Sequence, residues 1–154
     1  MDFKEKTIVL GIGGGIAAYK CCELVRLMRK AKAQVHVMMT KGATQFATPL
    51  TLQTLSENPV HTDIFDLNQE ASIDHISLAD KADLILIAPA TADLIAKAAA
   101  GICDDLVTTV LCATKAPMVL APSMNCNMWE NKIVQRNVST LKDCGVHFIE
   151  PASG

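Results

Sequence analysis

Thr7-Ile8-Val9-Leu10-Gly11-Ile12-Gly13-Gly14-Gly15-Ile16-Ala17-Ala18 is the stretch that decides the fold. Its first half is a short run rich in β-branched residues, the pattern of a strand buried on both faces. Three consecutive glycines follow and read as a turn. From Ile16 to Ala33 the spacing becomes helical, with apolar or small residues at 16, 17, 21, 24, 25 and 28 and with Lys20, Glu23, Arg26 and Arg29 between them. Strand, glycine turn and helix in that order begin a βαβ unit.

The same alternation continues outward. Gln34–Met39 reads as the second strand, Thr48–Leu55 as a short helix with Pro49 in its first turn, and Val60–Phe65 as a short third strand. Ile76–Lys81 reads as a brief helical turn, Leu84–Ala88 as a strand, and Thr91–Ala100 and Asp104–Ala113 as helices. Pro117–Ala121 is another strand, Asn127–Cys144 a long amphipathic helix ended by Gly145, and Val146–Ile149 the last strand. About six continuously apolar strands separated by helices predict one three-layer, doubly wound α/β domain with a parallel sheet. Ligands of such sheets bind at the carboxyl ends of the strands, so the loops that matter start at residues 13, 40, 89 and 122.

Composition agrees with one folded domain. The 154 residues are 50% hydrophobic and 19% charged, against roughly 25% charged in an ordinary soluble chain. This excess of apolar residues predicts surface buried in an oligomer. A net charge of −2 carries no basic footprint for nucleic acid. The uncharged stretch Ala116 to Trp129 is too short to span a membrane and holds Pro117, Pro122, Asn125 and Asn127. Lys4 and Lys6 before Thr7–Tyr19 look superficially like a signal peptide. Asp2, Glu5 and the glycines break that pattern, and the expectation is a cytoplasmic chain. The cysteines at 21, 22, 103, 112, 126 and 144 form no C-x-x-C and no zinc-like spacing with histidine, so no metal site is expected. They read as free thiols, mostly small core residues.

Four segments carry polar chemistry. The glycine loop is either a tight strand–helix turn or an anion-binding loop that offers backbone N–H groups. It is not a dinucleotide fingerprint. The sixth position from Gly11 is Ile16, and Thr40-Lys41-Gly42 stands where a ribose-binding acid would be, which argues against a nicotinamide-dependent dehydrogenase. Ala88-Pro89-Ala90-Thr91-Ala92-Asp93 either caps a helix or lets a flat ring pack on backbone, with Thr91 as a hydroxyl donor. Pro122-Ser123-Met124-Asn125-Cys126-Asn127-Met128-Trp129 offers uncharged hydrogen-bonding amides beside an apolar wall; alternatively Asn127 is a helix cap and Trp129 a core residue. His75 either caps a helix start or serves as a base, while His36, His61 and His147 read as structural.

Taken together, these segments resemble the flavin-containing cysteine decarboxylases, in particular those acting on phosphopantothenoylcysteine in coenzyme A synthesis. The resemblance spans essentially the whole chain, and its specific part is the P-x-M-N-x-x-M-W pattern from Pro122 to Trp129. It implies a Rossmann-like fold, FMN as cofactor, and trimers or trimer-built dodecamers with each active site at a subunit interface. By position, it implies that the FMN phosphate and ribityl chain meet Gly13, Gly14, Gly15 and Ile16, Thr40, and the turn Thr91, Ala92, Asp93 and Leu94. It further implies that Phe46 and Ser123 lie near the ring, that His75 is the catalytic base, that Asn125 binds the substrate carboxylate and that Met124 also contacts the substrate. The implied reaction oxidises the cysteine CH₂–SH to a thioaldehyde, which serves as electron sink for loss of CO₂. The resulting ene-thiol is then reduced again.

Two departures from the pattern stand out. Gly13 replaces a serine found in many members. A substrate flap bearing a cysteine is expected just after Pro151-Ala152-Ser153-Gly154, with Cys126 the nearest stand-in within this chain. The expectation is therefore a flavoprotein domain, 1–154, without its flap. The other readings are a peptidyl-cysteine decarboxylase and a non-catalytic flavin-binding subunit.

Overall fold

The computed structural model describes residues 2–65 and 75–152. Five strands form one sheet: β1 (Thr7–Ile12), β2 (Gln34–Met39), β3 (Leu84–Ala90), β4 (Met118–Pro122) and β5 (His147–Phe148). All neighbours are parallel, in the order β2-β1-β3-β4-β5. The helices are α1 (Cys21–Lys30), α2 (Pro49–Ser56), α3 (His75–Lys81), α4 (Ala92–Ala100), α5 (Leu106–Ala113), α6 (Cys126–Glu130) and α7 (Lys132–Asp143), with 3₁₀ turns at Ile16–Lys20 and Ala43–Gln45. No helix among the described residues is long and apolar enough to cross a membrane.

The pleat of β1 sorts the core into two layers. Ile8, Leu10 and Ile12 face one side and join Val25 and Met28 of α1 and Leu52 of α2. Val9 faces the other side, where Leu78 of α3, Ile95 of α4, Val107 and Val110 of α5 and Leu141 of α7 gather around Ile85, Ile87 and Leu120. Each of these fully buried aliphatic side chains contributes roughly 1.5–3 kcal/mol of apolar burial. None of α3–α7 adds a residue to the first core. On that face, therefore, Leu84, Leu86 and Ala88 of β3 and Val119 and Ala121 of β4 stay only half-buried, and Ile149 beside them is 53% exposed.

Four expectations need correction. Val60–Phe65 is not a strand. Only His61 bridges to the sheet, at Met38, and the Asp63 carboxylate then takes the Phe65 N–H at 2.9 Å, which turns the chain away. The helix expected over Asn127–Cys144 begins at Cys126 and is two helices. Asn131 is extended (ψ 131°), and its Oδ1 accepts from the N–H groups of Ile133 and Val134, so it restarts the helix as a new cap. The cap of α6 is Asn125 rather than Asn127, its side chain accepting from the Asn127 N–H. Finally, the six cysteines are free thiols, but only Cys21 is buried; Cys103, Cys112, Cys126 and Cys144 are exposed.

Candidate active site

The strand order reverses between β1 and β3, so their outgoing loops diverge and leave a crevice above the sheet. The glycine turn forms one wall. Its geometry depends on the missing side chains: a Cβ at Gly13 would stand 2.5 Å from the Pro89 carbonyl oxygen, and one at Gly14 would stand 3.0 Å from the Gly42 Cα. The Gly13 N–H donates to Pro89 O at 3.1 Å and the Gly15 N–H to Gly13 O at 3.0 Å. The N–H groups of Gly14 and Ile16 have no acceptor among the described residues and remain available to a ligand. Thr40 follows β2, where its Oγ1 accepts from the Ala43 N–H at 3.1 Å.

The second wall is the start of α4, reached through a cis Ala88-Pro89 bond. Thr91 caps the helix, its Oγ1 accepting from the Leu94 N–H at 3.2 Å. Its own hydroxyl hydrogen is left to donate. The Ala92 and Asp93 N–H groups lie in the first turn, where no intrahelical carbonyl reaches them and the helix dipole favours an anion. The third wall follows β4. Asn125 spends its Oδ1 on the Asn127 N–H at 2.8 Å, so its NH₂ remains free to donate.

One cavity of about 440 Å³ joins the three walls through Gly14, Gly15, Ile16, Thr91, Ala92, Ser123, Met124, Asn125 and Met128. That size suits a cofactor-sized ligand. No charged side chain lines it. It can therefore hold an anion through backbone N–H groups, hydroxyls, the Asn125 amide NH₂ and the α4 dipole, without an opposing charge.

Other residues singled out in the sequence lie elsewhere. Gly13 is buried under the turn, and Leu94 belongs to the core. The Asp93 carboxylate, 71% exposed, pairs with Lys97 at 3.3 Å. Phe46 lines a separate hollow with Tyr19, Cys22 and Thr48. Cys126 lines an adjoining cavity with Met124, Trp129 and Pro151. His75 begins α3, on the helix that packs against α5, and lines none of these cavities. A single chain thus brings the glycine loop and Asn125 together in one cavity whose lining does not include His75. Two contributors were missed in the sequence. Gly42 closes against Gly14, a role that a second glycine directly after a strand end could have signalled. Met128 was quoted in the motif without a role of its own.

Two further groups are shifted by burial. The Cys21 thiol donates to Ala88 O at 2.9 Å, and burial, helped by Cys22, pushes its pKa up to about 12, so it is no nucleophile. His36 on β2 is pushed down to about 4 by burial, then by Lys81 and His61. Lys81 Nζ lies 3.5 Å from His36 Nδ1 and is itself lowered by burial.

Comparison with known proteins adds the family. The Flavoprotein family model matches residues 1–153. The coenzyme A biosynthesis bifunctional protein CoaBC of Vibrio vulnificus is 52% identical over 149 residues, 97% of this chain and 37% of that protein. The Escherichia coli CoaBC is 47% identical over the whole chain and 38% of its own length. The chain thus spans less than two fifths of these curated relatives. Among solved structures, the FMN-dependent cysteine decarboxylase SpaF superposes with a TM-score of 0.91 at 32% identity, covering 99% of this chain and 87% of that one. A PPC decarboxylase mutant complexed with pantothenoylaminoethenethiol superposes at 0.83 with 29% identity, covering 97% and 84%. With an α/β sheet whose switch point holds the glycine turn, and a family match over nearly its full length, this chain belongs to the Flavoprotein family.

Proposed function

We propose that this chain is an FMN-dependent decarboxylase domain acting on phosphopantothenoylcysteine in coenzyme A synthesis. The observation that carries the reading is the shared cavity, in which the Ser123-Met124-Asn125 turn faces the Gly14–Ile16 loop and the Thr91 cap. FMN fits the residues present. Open N–H groups at Gly14, Ile16 and the first turn of α4, with the Thr91 hydroxyl, suit a phosphate, and Met124 and Met128 give apolar contact to a ring. When bound, FMN supplies a two-electron acceptor and donor for the cysteine CH₂–SH group.

The chain's own residues supply binding and proton transfer. The free Asn125 NH₂ holds the substrate carboxylate without opposing charge, so the group that must leave as CO₂ is positioned but not over-stabilised. His75 takes the thiol proton. Because His75 does not line the cavity that holds Asn125, we read each complete site as combining the cavity of one copy with α3 of another. The half-buried β3–β4 face and exposed apolar residues such as Ile16 (71%) supply apolar surface for that assembly, which we read as a trimer or a trimer-based dodecamer in the cytoplasm.

The purified chain, loaded with FMN, is expected to be yellow and to release CO₂ from phosphopantothenoylcysteine. His75→Asn should abolish turnover and keep the colour. A colourless chain that cannot be reconstituted with FMN would sink the reading. A second reading, a decarboxylase acting on the terminal cysteine of a peptide, shares the likeness to the FMN-dependent cysteine decarboxylase SpaF. Assaying both substrates side by side separates the two.

A further inference from the structure

Strand β3 leaves the sheet ladder at its carboxyl end. Its pairing with β1 stops at Gly11 opposite Ile87, and its pairing with β4 shifts register between Ile87 and Ala90. The carbonyls of Ala88 and Pro89 fall in that break, where Ala88 is half-buried and Pro89 buried, and an acceptor left without a donor there is costly. Two donors from outside the ladder meet them. The Gly13 N–H donates to Pro89 O at 3.1 Å, and the Cys21 thiol donates to Ala88 O at 2.9 Å. Cys21 is 2% exposed and opens α1, directly after the 3₁₀ turn Ile16–Lys20 that leaves the glycine loop. Both donors therefore belong to one wall of the cavity, and both acceptors to the segment that leads into the other, just before Thr91. The two walls are in van der Waals reach: a Cβ at Gly15 would lie 3.8 Å from the Pro89 ring and 3.9 Å from the Thr91 methyl. A shift of Ala88 and Pro89 would thus carry Thr91 and the open N–H groups of α4 with it, relative to Gly14 and Ile16. Burial pushes the Cys21 pKa up to about 12, so the thiol keeps its proton throughout the neutral range.

We propose that Cys21 is a positioning residue of the cofactor cradle: by donating to Ala88 O, its thiol sets the spacing between the glycine loop and the Thr91 cap. The proposal rests on the FMN reading above and extends it to a residue that does not line the FMN cavity. A thiol suits the place. It is small and apolar enough to join Val25 and Leu52 in the core, yet it carries a proton to donate. With the spacing held in advance, FMN meets two walls already at their working distance, and less ordering is left for the moment of binding.

The test follows FMN release from the FMN-loaded chain by flavin fluorescence on dilution, and records the visible circular dichroism of the bound flavin beside it. The unsubstituted chain is compared with Cys21→Ser, Cys21→Ala and Cys21→Val. Cys21→Ser keeps a proton to donate and should hold FMN as tightly as the unsubstituted chain, with the same dichroism. Cys21→Ala and Cys21→Val lose the donor, and each should bind FMN about 5-fold more weakly, with altered dichroism, the effect of one neutral hydrogen bond. Valine fills the space that alanine leaves, so a defect common to both is not a cavity effect. An infrared difference spectrum between the unsubstituted chain and Cys21→Ser should show an S–H stretch lowered by hydrogen bonding. Equal retention in all four chains, equal loss in all three variants, or an S–H band at the free-thiol position would overturn the proposal. An unsubstituted chain that holds no FMN would overturn the FMN reading together with it, and is the one outcome that touches both.

Discussion

Asn125 shows how one side chain serves fold and chemistry together. Its Oδ1 caps α6, and its NH₂ is left for a ligand. Asn125→Asp keeps the cap acceptor but removes the donor and sets a carboxylate against the substrate carboxylate. The expected outcome is an unchanged melting temperature and a KM raised about 10- to 100-fold, the loss of one hydrogen bond to a charged group. Steady-state kinetics beside a thermal melt would check it. His36 makes a separate, acid-side prediction. Its folded pKa of about 4 lies below the free value of 6.5, with burial, Lys81 and His61 as causes. Between those values the unfolded chain binds more protons, so stability is full above about pH 6.5 and falls as pH drops toward about 4. Lys81→Met should move the His36 titration upward, toward 6.5, in an NMR pH series. A His36 pKa unmoved by that change would show that Lys81 has no part in it.

The walls of the site are held by turns and caps rather than by charge. Thr91→Ala removes the cap of α4 and one hydroxyl from the cavity. It should cost about 1 kcal/mol in urea unfolding and weaken FMN retention. Asp105→Ala, which breaks the capping box of α5, should cost about the same and leave FMN retention unchanged. Gly13→Val would push a side chain into Pro89 O and should both destabilise the chain, by about 1–3 kcal/mol, and bleach the purified protein. These elements were largely legible in the sequence, because the glycine run, Pro49 and Gly145 punctuate it and the strands are uniformly apolar. The failures are equally physical. The Asp63 side chain diverts a would-be strand, and Asn131 interrupts a helix whose apolar spacing runs on through the break. Both are local side-chain-to-backbone bonds that competed with the periodic pattern.

The whole molecule is a sheet well covered on one face and half-covered on the other. The apolar composition predicts a surface covered by a partner copy; the half-buried apolar residues of the folded chain run along β3 and β4, with exposed Ile149 at their border. Ile149→Glu should shift the oligomer toward monomer in sedimentation and reduce activity while the far-ultraviolet circular dichroism stays constant. The separation of His75 from the Asn125 cavity could not be read from the sequence, because the motifs give residue types and order but not which copy supplies each. The most direct test of a decarboxylase site shared between copies is complementation. His75→Asn and Asn125→Ala chains, each inactive alone, are co-expressed in equal amounts, loaded with FMN and given phosphopantothenoylcysteine. The account predicts that CO₂ release returns to about one quarter of the unsubstituted level, the fraction of interfaces pairing an intact His75 with an intact Asn125 in a symmetric assembly. A mixed oligomer that releases no CO₂, while the unsubstituted chain does, would contradict it.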